Sequence, residues 1–325
     1  MTYTQLKKTL AATLLVAAPL LTTPAMAADW PERPVDMIVA YGAGGGTDTI
    51  ARQLAEPLST LLAQPVVVQN RPGAGGTIGA AAVAKADADG YTLYMMAAGH
   101  TVAAAMYREL PFDPAADFTG VSGIATMPLV LLTRPASDIS SLADLVAKAK
   151  ADPEGLTIAS VGVGSTQHLT AELIQSELGI KLLAIPYAKT PEALAAVLSG
   201  EVDLMVEVAA PVIGQIAAGD LKGIAITSAE RHAKLPDVAT LSEAGYKLEV
   251  STWYGVAAPA GTDPAIIKAA SAAIAKAVNS EAFAANLTKR GFTLAPSSPE
   301  AFTEKFKGDI VRWKKVRESV GIKQK

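Results

Sequence analysis

The sequence predicts a two-lobed α/β fold in which each lobe is a mostly parallel sheet flanked by helices and two extended crossover runs join the lobes. Three observations carry the prediction. Short β-rich runs alternate with alanine-rich helical patterns along nearly the whole chain, which is the rhythm of βαβ units with parallel strands. The rhythm restarts after a long apolar run at 121–133, and a second extended run occupies 248–258. Of the 325 residues, 50% are apolar and 18% charged, enough to fill the cores of about two domains and too apolar for disorder.

The chain opens with Lys7 and Lys8, an apolar stretch from Leu10 to Leu21, and Pro24 before Ala25-Met26-Ala27. A positive start, a short apolar segment and an A-x-A site specify a secretory signal peptide over 1–27. The apolar stretch is shorter than the roughly 20 residues a membrane span needs. The mature chain is therefore expected outside the cytoplasm, in the periplasm.

Residues 35–41 read as a buried strand, followed by a helix over 47–62 with Ile50, Leu54, Leu58 and Leu61 at helical spacing. A strand at 65–69, a helix at 77–85 and a strand at 91–97 continue the first lobe. Beyond 121–133 come a helix at 141–151, a strand at 157–161, a helix at 166–178, a strand at 182–186 and a helix at 191–199. Strands at 204–208 and 223–227 complete the second lobe, and helices at 264–279 and 299–320 close the chain. Lobe 1 is thus expected at 28–127 and 252–325, and lobe 2 at 128–251. Open α/β sheets bind ligands at the carboxyl ends of their strands, which places a crevice between the lobes.

Charge and residue inventory exclude several function classes. With 28 Lys+Arg against 31 Asp+Glu, the formal net charge is −3, so no basic surface for nucleic acid is expected. There is no cysteine, which removes disulfides, thiolate metal sites and thiol nucleophiles. No H-E-x-x-H, G-x-S-x-G or P-loop pattern occurs. Neither a cofactor nor a metal is expected.

Three glycine-rich turns each join a predicted strand to a predicted helix. They are Gly42-Ala43-Gly44-Gly45-Gly46-Thr47-Asp48, Gly73-Ala74-Gly75-Gly76-Thr77-Ile78-Gly79 and Gly162-Val163-Gly164-Ser165-Thr166. Glycine lets backbone N–H groups approach a ligand, and the helix N-terminus behind adds positive partial charge. Thr47, Asp48, Ser165 and Thr166 are N-cap or hydroxyl candidates at these turns. A dinucleotide fingerprint fails, because the position for its third glycine is Thr47 in the first turn and Gln167 in the third. The anion that suits three such turns is a carboxylate. An enzyme using Ser165 and His168, three residues apart, stays open as an alternative, with Glu172 one turn further along.

Taken in order, a longer series of motifs resembles the extracytoplasmic solute-binding receptors of tripartite tricarboxylate transporters, often called Bug proteins. The series runs from Trp30-Pro31-Glu32-Arg33-Pro34 and the turn at Gly42 through Val66-Val67-Val68-Gln69-Asn70 and the turn at Gly73. It continues with Asp89-Gly90-Tyr91-Thr92-Leu93, Leu110-Pro111-Phe112-Asp113, the turn at Gly162 with His168, and Ile185-Pro186-Tyr187. Gly200-Glu201-Val202-Asp203, Leu235-Pro236-Asp237-Val238, Trp253-Tyr254-Gly255 and Ala258-Pro259-Ala260-Gly261-Thr262 follow.

The resemblance implies a flytrap, the periplasmic-binding-protein architecture, closing on a small organic acid, a dicarboxylate by preference, and presenting it to an integral membrane permease. A receptor feeding a sensor kinase is a further reading, and a monomer is expected. One carboxylate of the ligand would be held by Tyr41, Ala43, Gly44, Gly45, Thr47 and Asp48 together with Gly73, Ala74, Gly75 and Gly76. Gly164, Ser165, Thr166 and His168, and Glu207 after Asp203, would meet the far end, and His100 completes the expected ligand-binding set. The chain departs from the family pattern at Tyr41-Gly42-Ala43, where phenylalanine and proline are common. It departs again at Ala188-Lys189, where lysine-glycine is usual.

Overall fold

The computed structural model describes residues 30–161, 165–187, 190–319 and 321–324. The signal-peptide reading of 1–27 and the 162–164 part of the third glycine turn lie outside the described residues. The architecture is α/β, built on one continuous curled sheet.

The first strand group is formed by β1 (Val35–Val39), β2 (Val66–Asn70) and β3 (Thr92–Ala97), with α1 (Gly46–Leu62), α2 (Thr77–Ala84) and α3 (Gly99–Met106) following the strands in turn. The second has β5 (Thr157–Val161), β6 (Leu183–Tyr187) and β7 (Leu204–Val208), with α4 (Leu142–Ala151) before it and α5 (Thr166–Leu178) and α6 (Thr190–Ser199) between its strands. Between the groups run β4 (Phe118–Thr133) and β9 (Ser251–Pro259), and β8 (Lys222–Ile226) follows α7 (Ile213–Ala217). The chain ends with α8 (Pro264–Val278), α9 (Glu281–Lys289), β10 (Thr293–Leu294) and α10 (Pro299–Ser319).

The order across the sheet is β2-β1-β3-β9-β4-β7-β5-β6, with β8 and β10 also pairing with β4. Pairing is parallel within β2-β1-β3 and within β6-β5-β7, as the βαβ rhythm predicts. It is antiparallel wherever β4 or β9 takes part, because these two carry the chain out of one group and back into it. β4 changes partners midway. Its residues up to Pro128 pair with β9, and from Leu129 onward they pair with β7 and β8.

β4 also shows why its sequence is an unbroken apolar run. Leu129 and Leu131 enter one core cluster, while Val130 and Leu132 enter another on the opposite face. A strand buried on both faces loses the alternation of a half-exposed one. On α1, Ile50, Leu54 and Leu58 are fully buried, each worth roughly 1.5–3 kcal/mol of transfer free energy. The predicted Leu61 is instead 44% exposed, at the last turn of that helix. α8 begins where Asp263 accepts from Ala265 N and Pro264 takes the first helical position, a start that suits proline because its missing N–H has no intrahelical role there.

Three described helices, α3, α7 and α9, have no counterpart among the predicted elements. α3 buries every residue from His100 to Met106, so no polar face supplies a 3.6-residue period to detect. α7 is only five residues long.

Candidate functional site

Both parallel groups are doubly wound. From β1 the chain moves outward to β2 and then back across to β3, so the strand order reverses beside β1. From β5 it moves to β6 and back to β7, so the second reversal lies beside β5. Crevices form where the connections at the carboxyl ends of adjacent strands diverge to opposite faces. A cavity of about 470 Å³ receives residues from both reversal points: Tyr41 and Thr47 after β1, and Ser165, Thr166 and Gln167 after β5. Gly75, Gly99, Met106 and Tyr107 add a side from the second glycine turn and α3, and Thr252 and Tyr254 of β9 lie between the groups. None of the described lining residues is charged.

The turn after β1 is held from behind by Asp48. Its Oδ2 accepts from Gly44 N at 2.8 Å, its Oδ1 accepts from Asn70 Nδ2 at 2.8 Å, and both oxygens accept from Arg52 Nε at 3.0 Å. Burial alone would raise the carboxyl pKa, but the bonds from Arg52, Gly44 and Asn70 outweigh it and leave the value below the ordinary one. Asp48 does not cap α1. The N-cap is Gly45, with no side-chain bond, and Thr47 and Asp48 already belong to the helix. In the second turn Gly75 and Gly76 both have positive φ, 66° and 96°, the left-handed region that side chains with a Cβ rarely enter.

Ser165 is the N-cap of α5. Its Oγ accepts from His168 N at 3.1 Å and donates to Val161 O at 2.5 Å. The His168 ring lies beside Glu172, with Nε2 3.8 Å from Oε1. A nucleophile needs its hydroxyl aimed at an imidazole base, whereas the Ser165 hydroxyl bonds backbone on both sides, Val161 O and His168 N.

Behind the α5 end of the cavity lies Glu207 on β7, 2% exposed. Its Oε1 accepts from Val208 N at 2.7 Å and from Gln167 Nε2 at 3.1 Å, and its Oε2 accepts from Thr190 Oγ1 at 2.7 Å. Burial pushes its pKa up, with these three hydrogen bonds opposing. On the other side, the Tyr41 hydroxyl is buried with no hydrogen-bond partner among the described residues. Burial, then the nearby Tyr254, push its pKa far above the usual tyrosine value. Burial likewise lifts Tyr254 to about 12, with Thr252 opposing and Glu207 adding.

The structure therefore sorts the expected ligand-binding set. Tyr41, Thr47, Gly75, Ser165 and Thr166 line the cavity. Ala43, Gly44 and Gly45 form the exposed crest of the first turn, and Gly73, Ala74 and Gly76 surround Gly75 in the second. Asp48 bonds Gly44, Asn70 and Arg52, none of which lines the cavity, whereas Glu207 stands behind the wall and bonds Gln167 and Val208, which do. Gly164 lies outside the described residues.

His168 and His100 are not among the lining residues. His100 is a core histidine, its Nε2 2.9 Å from Pro114 O and its ring packed among Tyr94, Phe112 and Phe118. Residues that sequence reasoning missed are Gln167 and the α3 side, Gly99, Met106 and Tyr107. Gln167 carried a signal, since it follows the third turn directly. The α3 residues carried none.

A cleft between two doubly wound groups, ringed by helix N-termini, is the arrangement of a solute-binding receptor of the flytrap class. The chain belongs to the tripartite tricarboxylate transporter family receptors, whose sequence profile matches residues 50–322. It is 37% identical to protein BugT of Bordetella pertussis over 315 residues, covering 96% of this chain and 97% of that one. Its fold is similar to that of Rhodopseudomonas palustris Rpa4515 with adipate, at 33% identity and TM-score 0.81 over 91% of this chain and 100% of that one. It is similar as well to MatC of the same organism with bound malate, at 31% identity and TM-score 0.76 over 88% and 99%. The family consists of transport receptors, and the enzyme alternative built on Ser165 and His168 falls with it.

Proposed function

We propose that this chain is a periplasmic receptor, monomeric after removal of residues 1–27, that captures a small organic carboxylate and delivers it to the integral membrane permease of a tripartite transporter. Lobe 1 is 28–127 with 252–325 and lobe 2 is 128–251; the change of β4 partners at Pro128 and the start of β9 at Ser251 support these boundaries. The observation that carries the reading is the meeting of α1, α3 and α5 N-terminal residues (Thr47, Gly99, Thr166) around one cavity. Helix N-termini supply unpaired N–H donors and positive partial charge for an anion. That relatives of similar fold hold adipate and malate adds support. Among the described residues no helix is long and apolar enough to cross a membrane.

The magnitudes suffice. A hydrogen bond to a charged group contributes about 1.5–3 kcal/mol, and a micromolar complex needs about −8 kcal/mol. Three or four such bonds, reduced by ordering costs, reach that range. The test is a thermal-shift screen of aliphatic and aromatic carboxylates followed by calorimetry on the wild type and Gly75→Val. The substitution forces a β-branched residue into φ 66° and directs its Cβ toward the Tyr107 hydroxyl, 3.4 Å away. Affinity should fall at least about tenfold with the fold intact. Binding confined to uncharged solutes, or unchanged in Gly75→Val, would overturn the assignment.

A further inference from the structure

Gln167 reaches the cavity from the first turn of α5, and its amide is held in one orientation. The Glu207 oxygen it meets, Oε1, already accepts the Val208 N–H at 2.7 Å. An oxygen accepting a backbone N–H offers lone pairs. If Glu207 takes up a proton, it belongs on Oε2, where the Thr190 hydroxyl can reverse its role and accept. In either protonation state the Gln167 group facing Oε1 is therefore the NH2. Among the described residues no donor meets the amide carbonyl oxygen, which leaves it as an acceptor for a ligand in the cavity.

The rest of the wall differs in character. Thr47 and Thr166 bring hydroxyls, and the helix starts bring N–H groups. An anion is suited to those groups and unsuited to the Gln167 carbonyl, which is backed by a carboxyl group. The cavity thus combines donors at its helix starts with one fixed acceptor, the Gln167 carbonyl.

We infer that Gln167, positioned by Glu207, is a specificity-determining residue that selects carboxylates carrying a hydrogen-bond donor, a hydroxyl or an ammonium group, at the end facing α5. This rests on the carboxylate-receptor reading above and refines it. A ligand lacking the donor leaves the Gln167 carbonyl facing an apolar or anionic group after water has been expelled, and an unpaired acceptor in a closed site is costly.

The experiment uses matched acids that share a skeleton: succinate against malate and aspartate, and adipate against 6-hydroxyhexanoate and 6-aminohexanoate. Each is titrated calorimetrically into the mature wild-type protein. Within the skeleton that binds, a donor-bearing acid should bind at least about tenfold more tightly than its donor-free partner. In Gln167→Leu that ratio should shrink to within about twofold. In Glu207→Gln the ratio should persist, because the amide oxygen still accepts from Val208 N and Gln167 Nε2 while the new NH2 donates to Thr190 Oγ1. Equal affinity of donor-bearing and donor-free acids in the wild type overturns the inference while leaving the carboxylate receptor standing. A preference that survives in Gln167→Leu also overturns it. If none of the six acids binds, while uncharged solutes do, both the inference and the reading beneath it fail.

Discussion

His100 and Asp48 are both buried titratable groups near the glycine turns, and acid should act on them in separate windows. Burial lowers the His100 pKa to about 4, with the Pro114 bond opposing, whereas in the unfolded chain it is about 6.5. Between those values the unfolded state binds a proton that the native state refuses. Stability therefore falls as pH drops from about 6.5 to about 4, by at most roughly 3 kcal/mol. Thermal melts across that window should show the slope in the wild type and lose it in His100→Phe; equal slopes would remove His100 as the cause. Asp48 is depressed instead, so its contribution is complete above the ordinary aspartate pKa of about 4 and disappears as pH falls through the lower native value. Asp48→Ala leaves Gly44 N without its side-chain acceptor and removes one of the two acceptors of Asn70 Nδ2, and should cost about 1–3 kcal/mol in denaturant unfolding.

Among the elements, α5 separates a structural from a chemical role for its first residues. Ser165 bonds the backbone at both ends of its hydroxyl, so Ser165→Ala should cost about 0.5–2 kcal/mol of stability, the usual price of a lost N-cap. Ser165→Asp, which can still accept from His168 N, should restore most of it; failure of both variants to alter the melting temperature would show that the cap is inert. The element pattern explains what could be read in advance. α5 has a side-chain cap at its start and Gly179 in the left-handed conformation at its end, two local signals that need no tertiary context. α3 has neither a polar face nor a side-chain cap. Its position was hidden because packing against α10 and the second glycine turn, not local preference, makes it a helix.

At the level of the whole molecule, the cavity is assembled from strands far apart in sequence, and both groups contribute donors. A ligand that touches both makes its full set of contacts only when they approach, so it shifts the equilibrium toward a closed form. Small-angle scattering should show a smaller radius of gyration at saturating concentrations of a binding acid than without it. An unchanged radius would mean that the cleft binds without closure. Closure about β4 and β9 is expected to be sensed by Trp253, which lies within β9 with its indole N–H bonded to Asp309 Oδ2 at 2.6 Å.

The glycine turns, the strand–helix rhythm and the two long apolar runs follow from local rules, since turn geometry and burial period are properties of short segments. They sufficed for the α/β class, the two-lobed plan and the placement of Tyr41, Thr47, Gly75, Ser165 and Thr166 at strand ends. Local rules could not show that Asp48, His100 and Glu207 face away from the cavity or stand behind it, because a side chain's partners come from other elements: Asn70 for Asp48, Pro114 and Phe118 for His100, Gln167 and Thr190 for Glu207. Only the packed fold decides which polar groups satisfy one another and which remain for a guest.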